Sequence, residues 1–224
     1  DMGITKIAVL AGNTGFGKAG KGQLLKLAPN FGIDVVMAEV YDKKSTDLSA
    51  VVAKLMSNKD IQAVVNWSIV PAQGILAKNM RQAGWNVPLF QSHGFGNIKY
   101  VEAGGAAAEG IIFPAGRLLV ADVIADNHPQ KAVLNKYKKD YETKYKEQAS
   151  TFGGHGYDAF MILVKALETA GADKEKVRDA VENLKGFAGT GGIFNFSAED
   201  HNGLSIDAFA MLTVKDGKFA LYKK

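Results

Sequence analysis

Strand and helix signals alternate through the first half of the chain, and this alternation limits the possible folds more than any other feature. Lys6 to Ala11 reads as a buried strand that runs through Gly12-Asn13-Thr14-Gly15-Phe16-Gly17-Lys18 into a helix reaching about Phe31. Asp34 to Tyr41 is a second strand, Ile61 to Trp67 a third, Val87 to Gln91 a fourth and Gly110 to Phe113 a short fifth. Between them, Ser45-Thr46-Asp47 offers a cap for a helix from Leu48 to Asn58, whose Leu48, Val51, Val52 and Leu55 share one face. Pro71 opens another helix, to Ala83. Helices between strands at this spacing demand a parallel sheet with right-handed crossovers. Ligands of such sheets sit at the carboxyl ends of the strands. The loops to watch are therefore 12–17, 67–70 and 92–97.

From Ala115 to Asn127 the periodicity weakens, as in a segment that crosses between two parts of a fold. Pro129 opens a long helix to about Gln148, with Leu134, Tyr137, Tyr141 and Tyr145 on one face. The run Thr151-Phe152-Gly153-Gly154-His155-Gly156 reads as a Gly-rich lead into a helix from Asp158 to Ala170. Tyr157, at that junction, is either a core ring or a ring presented to a cleft. Asp173 caps a helix from Lys174 to Leu184, a loop covers 186–192, and Gly192 to Phe196 alternates like a strand. Ile206 to Val214 and Lys218 to Tyr222 flank Asp216-Gly217, a hairpin turn signal.

Composition excludes several classes. With 224 residues, 47% of them hydrophobic and 22% charged, the chain suits one large globular domain or two small ones. No run approaches the ~18 apolar residues of a membrane-spanning helix. Asp1-Met2-Gly3 leads into a strand rather than a charged-then-apolar leader, so no signal peptide is read here, and a mature or trimmed exported protein would look the same. The absence of Cys excludes disulfides, Cys-ligated zinc and thiol catalysis. The net charge of +4 is mild. Its Lys cluster (131, 136, 138, 139, 144, 146) is mixed with Asp140, Glu142 and Glu147, which reads as a solvated face rather than a nucleic-acid surface.

The chemical signals are few. Gly12 to Lys18 nearly matches a phosphate-binding loop, but Ala19 stands where Ser or Thr would hold magnesium, and the third strand ends in Asn66-Trp67-Ser68 without an acidic partner. A nucleotide- or phosphate-ester-binding enzyme using this loop is the alternative reading. His93, His128, His155 and His201 lack metal-ligand spacing, and Ser68 and Ser92 lie outside any nucleophile motif. No catalytic residue, metal or cofactor is therefore expected. What survives is Asn13 to Phe16, Trp67-Ser68-Ile69, His93-Gly94-Phe95 and Tyr157: aromatic walls with a few polar groups, as a small-molecule cleft requires. The alternative for Trp67 and Phe95 is plain packing.

The ordered series KIAVLAGNTGFGKAG, MRQAGWNVPLFQSHG, AAEGIIF and GHGYDAFMILVKALETAG resembles the solute-binding proteins of ABC importers in the branched-chain amino-acid (Leu/Ile/Val-binding) class, from about Ile4 to Tyr222. The resemblance implies an α/β fold of periplasmic-binding-protein type I, a Rossmann-like parallel-sheet lobe with its second lobe incomplete. It implies a periplasmic or extracellular, membrane-tethered, non-enzymatic protein whose partners are a small molecule and a membrane permease. By motif position, Phe16, the Trp67-Ser68-Ile69 turn and Tyr157 match ligand-facing positions of the family. His93 falls where amino-acid-binding members carry the carboxylate that pairs with the ligand's α-ammonium. An imidazole cannot supply that countercharge, so a carboxylate lacking the amino group, aliphatic or aromatic, or another polar metabolite fits better.

The resemblance also implies that 4–113 plus 192–224 form the complete C-terminal lobe, and that 129–185 is the helical remnant of the other. Leu134, Tyr137, Tyr141, Met161, Leu163, Val164 and Leu167 are then expected to form an exposed apolar patch. Self-association, domain swapping or an N-terminal fragment would cover it.

Overall fold

β1 (Lys6–Gly12) is flanked on both sides by parallel partners, because its apolar run Ile7 to Ala11 is buried on both faces. These partners are β2 (Asp34–Tyr41) and β3 (Ala63–Trp67), and Val9 pairs with Ala38 on one side and Val65 on the other. A computed structural model describes residues 2–223 and divides them into two units, 2–114 with 211–223, and 115–210.

In the first unit the sheet continues through β4 (Leu89–Gln91) and β5 (Ile112–Gly116). Here α1 (Gly15–Leu27) links β1 to β2 and α2 (Ser49–Met56) links β2 to β3. α3 (Ala72–Gln82) links β3 to β4, and α4 (Ile98–Gly104) links β4 to β5. Right-handed crossovers then put α1 alone on one face and α2, α3 and α4 on the other. Leu24 of α1 packs on Ile7, Val9 and Ala63. Two sequence expectations shift here. Asp47 accepts from Ser49 N at 3.0 Å, but Leu48 occupies the cap position of α2. The fifth strand starts later than expected because Gly110, at φ 76°, is a turn residue. α4 was not expected at all; it has seven residues and too little apolar periodicity to read.

The chain closes the sheet with β8 (Phe209–Lys215) and β9 (Lys218–Leu221), giving the order β2-β1-β3-β4-β5-β8-β9. Their antiparallel hairpin turns through Asp216 (φ 52°) and Gly217 (φ 69°), the two left-handed positions a two-residue turn needs. The Glu109 carboxylate accepts from both turn amides, at 3.0 and 2.6 Å.

The second unit holds a 3-10 segment (Arg117–Val123), α5 (Lys131–Tyr145), α6 (Thr151–Ala170), α7 (Lys174–Glu182) and the antiparallel pair β6 (Phe187–Ala188) and β7 (Ile193–Phe194). α6 begins seven residues before the expected start, at Thr151, so the Gly-rich run is helical. Ser150 caps it and Asp173 caps α7, accepting from Glu175 N and Lys176 N. The core is Ile162, Phe194 and Phe196 with Val181, Leu184 and Leu204 around them. That packing places 192–210 with the helices, so the expected boundary at 192 moves to 210.

The expected apolar patch is also redrawn. Leu134 is 0% and Tyr137 8% exposed, so both are core. Leu163 and Leu167 are exposed as expected, and with Phe152 and Phe160 they form a stripe along one side of α6.

Candidate ligand-binding site

Three loops meet at the carboxyl edge of β1, β3 and β4, which are neighbours in the sheet. After β1 the chain enters α1 through Thr14, whose hydroxyl accepts from Gly17 N at 3.0 Å. Gly17 allows this turn: a Cβ there would lie 2.0 Å from the Gly12 carbonyl oxygen. The ring of Phe16 then stands 5.8 Å from Trp67 and 5.2 Å from His93. Trp67 and His93 are 5.9 Å apart and nearly perpendicular. All three rings are half-buried, and His93 meets both Phe16 and Trp67 edge-to-face, an arrangement that aromatic quadrupoles favour. The indole rests on α1 at Gly20, where a Cβ would lie 2.2 Å from its Cδ1 and Nε1.

A chain of buried polar groups holds these loops from below. Tyr41 OH donates to Asn66 Oδ1 (3.2 Å), and Asn66 Nδ2 donates to Gln91 Oε1 (2.7 Å). Gln91 Nε2 donates to the Gln73 carbonyl (3.1 Å), and Gln73 Nε2 donates to the Gly94 carbonyl (3.2 Å). Burial pushes the Tyr41 phenol above its ordinary pKa, against the opposing hydrogen bonds of Ser68 and Asn66. Ser92 Oγ donates to the Ser68 carbonyl (3.1 Å) and accepts from Ser68 N and Gly94 N, both at 3.3 Å. In a low-dielectric interior each of these bonds is strong and each broken one costly, so the loops carrying Trp67 and His93 are preorganised.

Of the residues singled out from sequence, Phe16, Trp67 and His93 come together, with Asn13 and Ile69 exposed on the same loops. Three others are buried. Phe95 is fully buried and packs on Phe113 (5.2 Å) and Tyr100 (6.0 Å), because the 3-10 turn His93–Phe95 tucks it inward. Ser68 is buried and its Oγ accepts from Val70 N at 3.2 Å, closing a turn. Gly94 serves backbone approach: a Cβ there would lie 2.3 Å from the Ser68 carbonyl oxygen. Tyr157 belongs to the second unit, within α6, half-buried with its ring 5.0 Å from Tyr137.

Sequence reasoning missed Asp158. It is 1% exposed and accepts from Thr190 N (2.7 Å), Gly191 N (2.7 Å) and Thr190 Oγ1 (3.1 Å). Gln130, equally buried, donates to the Gly189 carbonyl at 2.8 Å. Together they pin the loop 189–191. The available signal was a carboxylate inside an apolar helix beside a glycine-rich loop, but the pairing spans 32 residues. Among the described residues, no group of three or more His, Asp or Glu side chains is placed to hold a metal ion.

A parallel sheet with ring-bearing, preorganised loops at its carboxyl edge is the architecture of a small-molecule receptor lobe. The chain belongs to the Periplasmic binding protein family, which it matches over residues 1–218. That family consists of substrate-binding proteins rather than enzymes. Among curated relatives, the leucine-, isoleucine-, valine-, threonine- and alanine-binding protein of Pseudomonas aeruginosa is 28% identical over 176 residues, covering 78% of this chain and 44% of that protein. A Leu/Ile/Val-binding protein homolog of Brucella abortus is 24% identical over 98% of this chain and 57% of its own. The chain thus spans about half the length of these curated relatives.

Solved structures agree on the fold. An extracellular ligand-binding receptor from Rhodopseudomonas palustris HaA2 superposes with a TM-score of 0.89 at 26% identity, over 99% of this chain and 64% of that one. A leucine-binding protein from Thermotoga maritima does so with 0.80 at 23% identity, over 99% and 61%. The fold is therefore that of type I periplasmic binding proteins, represented incompletely.

Proposed function

We propose that this protein captures a small organic carboxylate lacking an α-amino group, aliphatic or aromatic, outside the cytoplasm and delivers it to an ABC importer without chemical change. The family and its curated relatives support a solute-binding role. The observation that carries the finer reading is the Phe16–Trp67–His93 cluster, in which an imidazole stands among aromatic rings. Rings supply apolar area at low entropic cost, and an imidazole donates a hydrogen bond to a carboxylate whether neutral or charged. It offers no anion to an ammonium group, whose burial without one is costly. Phe16, Trp67, Ile69 and His93 are the residues assigned to the ligand in the first unit. On this reading 2–114 with 211–223 is the ligand-binding lobe, and the helices of 129–185 belong to the other. Membrane tethering on the outer side of the cytoplasmic membrane completes the proposal.

Calorimetry tests it with leucine, its 2-oxo acid analogue and a benzoate series. The oxo acid or an aromatic acid should bind at least tenfold more tightly than leucine. His93→Asp should reverse that order. Tight binding of leucine by the unaltered protein, with no heat from the acids, would remove the reading.

A further inference from the structure

The loop that carries Trp67 and Ile69 is held from two directions. From β4, Ser92 Oγ grips Ser68 through both its amide and its carbonyl. From α4, Tyr100 Oη donates to the Ile69 carbonyl at 3.0 Å, across 31 residues of sequence. That bond fixes the peptide plane that follows Ile69, and with it one of the two backbone dihedrals of the residue. The Ile69 side chain lies over Gly94, where a Cβ would come within 2.6 Å of Ile69 Cγ2. Ile69 therefore rests on the turn that presents His93.

Tyr100 is placed by neighbours that serve the same two loops. Its ring stacks on Phe95 at 6.0 Å with 26° between the planes, and Phe95, fully buried, ends the 3-10 turn that begins at His93. α4 lies close against α3, where a Cβ on Gly74 would come within 2.7 Å of the Tyr100 carbonyl oxygen. Burial raises the Tyr100 phenol above its ordinary pKa, and a hydrogen bond with the Gln73 side chain opposes that rise. Gln73 Nε2 also donates to the Gly94 carbonyl at 3.2 Å, so one amide serves both the phenol and the His93 turn. A phenol oxygen accepts one bond while donating another, which leaves the O–H for Ile69. Packing α4 on α3 needs only the ring. The hydroxyl, half-exposed and able to bond water instead, reaches a backbone carbonyl of a ligand loop.

We propose that Tyr100 is a positioning residue of the ligand site: its hydroxyl ties the loop after β3 to the helix after β4 and so sets the spacing between the Trp67–Ile69 wall and His93. The inference rests on the ligand reading above, which supplies those walls, and Tyr100 is assigned no contact with the ligand.

Tyr100→Phe tests it, because this change keeps the ring on Phe95 and removes only the hydroxyl. It is made in a Trp85→Phe background, where the emission comes from Trp67. Acrylamide quenching is measured without ligand, and calorimetry gives Kd for the 2-oxo acid of leucine. Trp67 should be quenched at least about 1.5-fold more efficiently, since a loop freed of one tether opens more often. The oxo acid should bind about two- to tenfold more weakly, the range that one neutral hydrogen bond is worth. Tyr100→4-aminophenylalanine, which restores a donor at the same place, should recover both values. A lower Tm with quenching unchanged, or with Kd unchanged in a protein that binds the acid, would overturn the proposal and leave Tyr100 as packing alone. So would failure of the amino variant to recover the quenching. If the unaltered protein binds neither the oxo acid nor benzoate, the ligand reading falls by itself, while the quenching comparison, which needs no ligand, still upholds or overturns the tether.

Discussion

Adding one methyl group to α1 at residue 20 should dislodge the ring cluster while leaving the fold in place. In Gly20→Ala the new Cβ would lie 2.2 Å from indole Cδ1 and Nε1 and 2.3 Å from Cγ of Trp67. Carbon atoms rest at about 3.5 to 4.0 Å, so the ring has to retreat by more than about 1 Å. Overpacking of this kind costs roughly 1 to 3 kcal/mol, while replacing a mid-helix glycine by alanine returns about 0.5 to 1 kcal/mol. The net loss is about 0 to 2.5 kcal/mol, which moves Tm by less than about 10 °C in a chain of this size. Trp67 is one of only two tryptophans, so its fluorescence in a Trp85→Phe background reports the displacement directly. Gly22→Ala is the matched control in the same helix, because nothing lies within 4 Å of its added Cβ. It should stabilise the protein by about 0.5 to 1 kcal/mol and leave the emission unchanged. Gly20→Ala should shift the emission and weaken carboxylate binding by tenfold or more. Identical spectra and affinities for the two variants would refute the assignment of Trp67 to a site wall braced by α1.

Asp158→Ala should be the most damaging single change in the second unit. It leaves Thr190 N and Gly191 N buried without their carboxylate, at a cost of about 3 kcal/mol or more, and Tm should fall by about 10 °C. A fall of under 2 °C in calorimetry would show that water or the loop itself satisfies those amides. Tyr41 gives a pH signature. Its folded phenol is held above the ordinary value of 10.0, so its stabilisation is complete below pH 10 and is lost as pH rises through the folded pKa. Urea titrations at pH 9 and 11 should show a steeper alkaline loss in the parent than in Tyr41→Phe, and equal slopes would sink the argument.

Much of the first unit was legible before any coordinates. The bounds of β2 coincide with the expected strand Asp34 to Tyr41, since its β-branched and apolar residues stop at charged or turn-forming neighbours. The Asp216-Gly217 turn and the Asp173 cap were equally readable, because each depends on chemistry within three residues. The ring cluster was half legible. Loops after parallel strands are the right place to search, and Phe16, Trp67 and His93 stand there. Phe95, two residues from His93, was misread because its inward direction is set by a three-residue 3-10 turn and by Phe113, which arrives from β5.

The glycines of α6 show the same limit. Gly153 and Gly154 look like loop residues, yet they lie in a helix capped by Ser150, and they are glycine because Tyr137 and Thr190 approach too closely for a Cβ. Periodicity, caps and turn residues by themselves determined that this protein carries a mainly parallel α/β sheet with the loops after its strands at one edge, since those signals act over a few residues. Only the tertiary structure decided which aromatic is turned inward and that Asp158 clamps a loop. Those outcomes depend on contacts between segments far apart in the chain, and local sequence carries no record of which surfaces will meet.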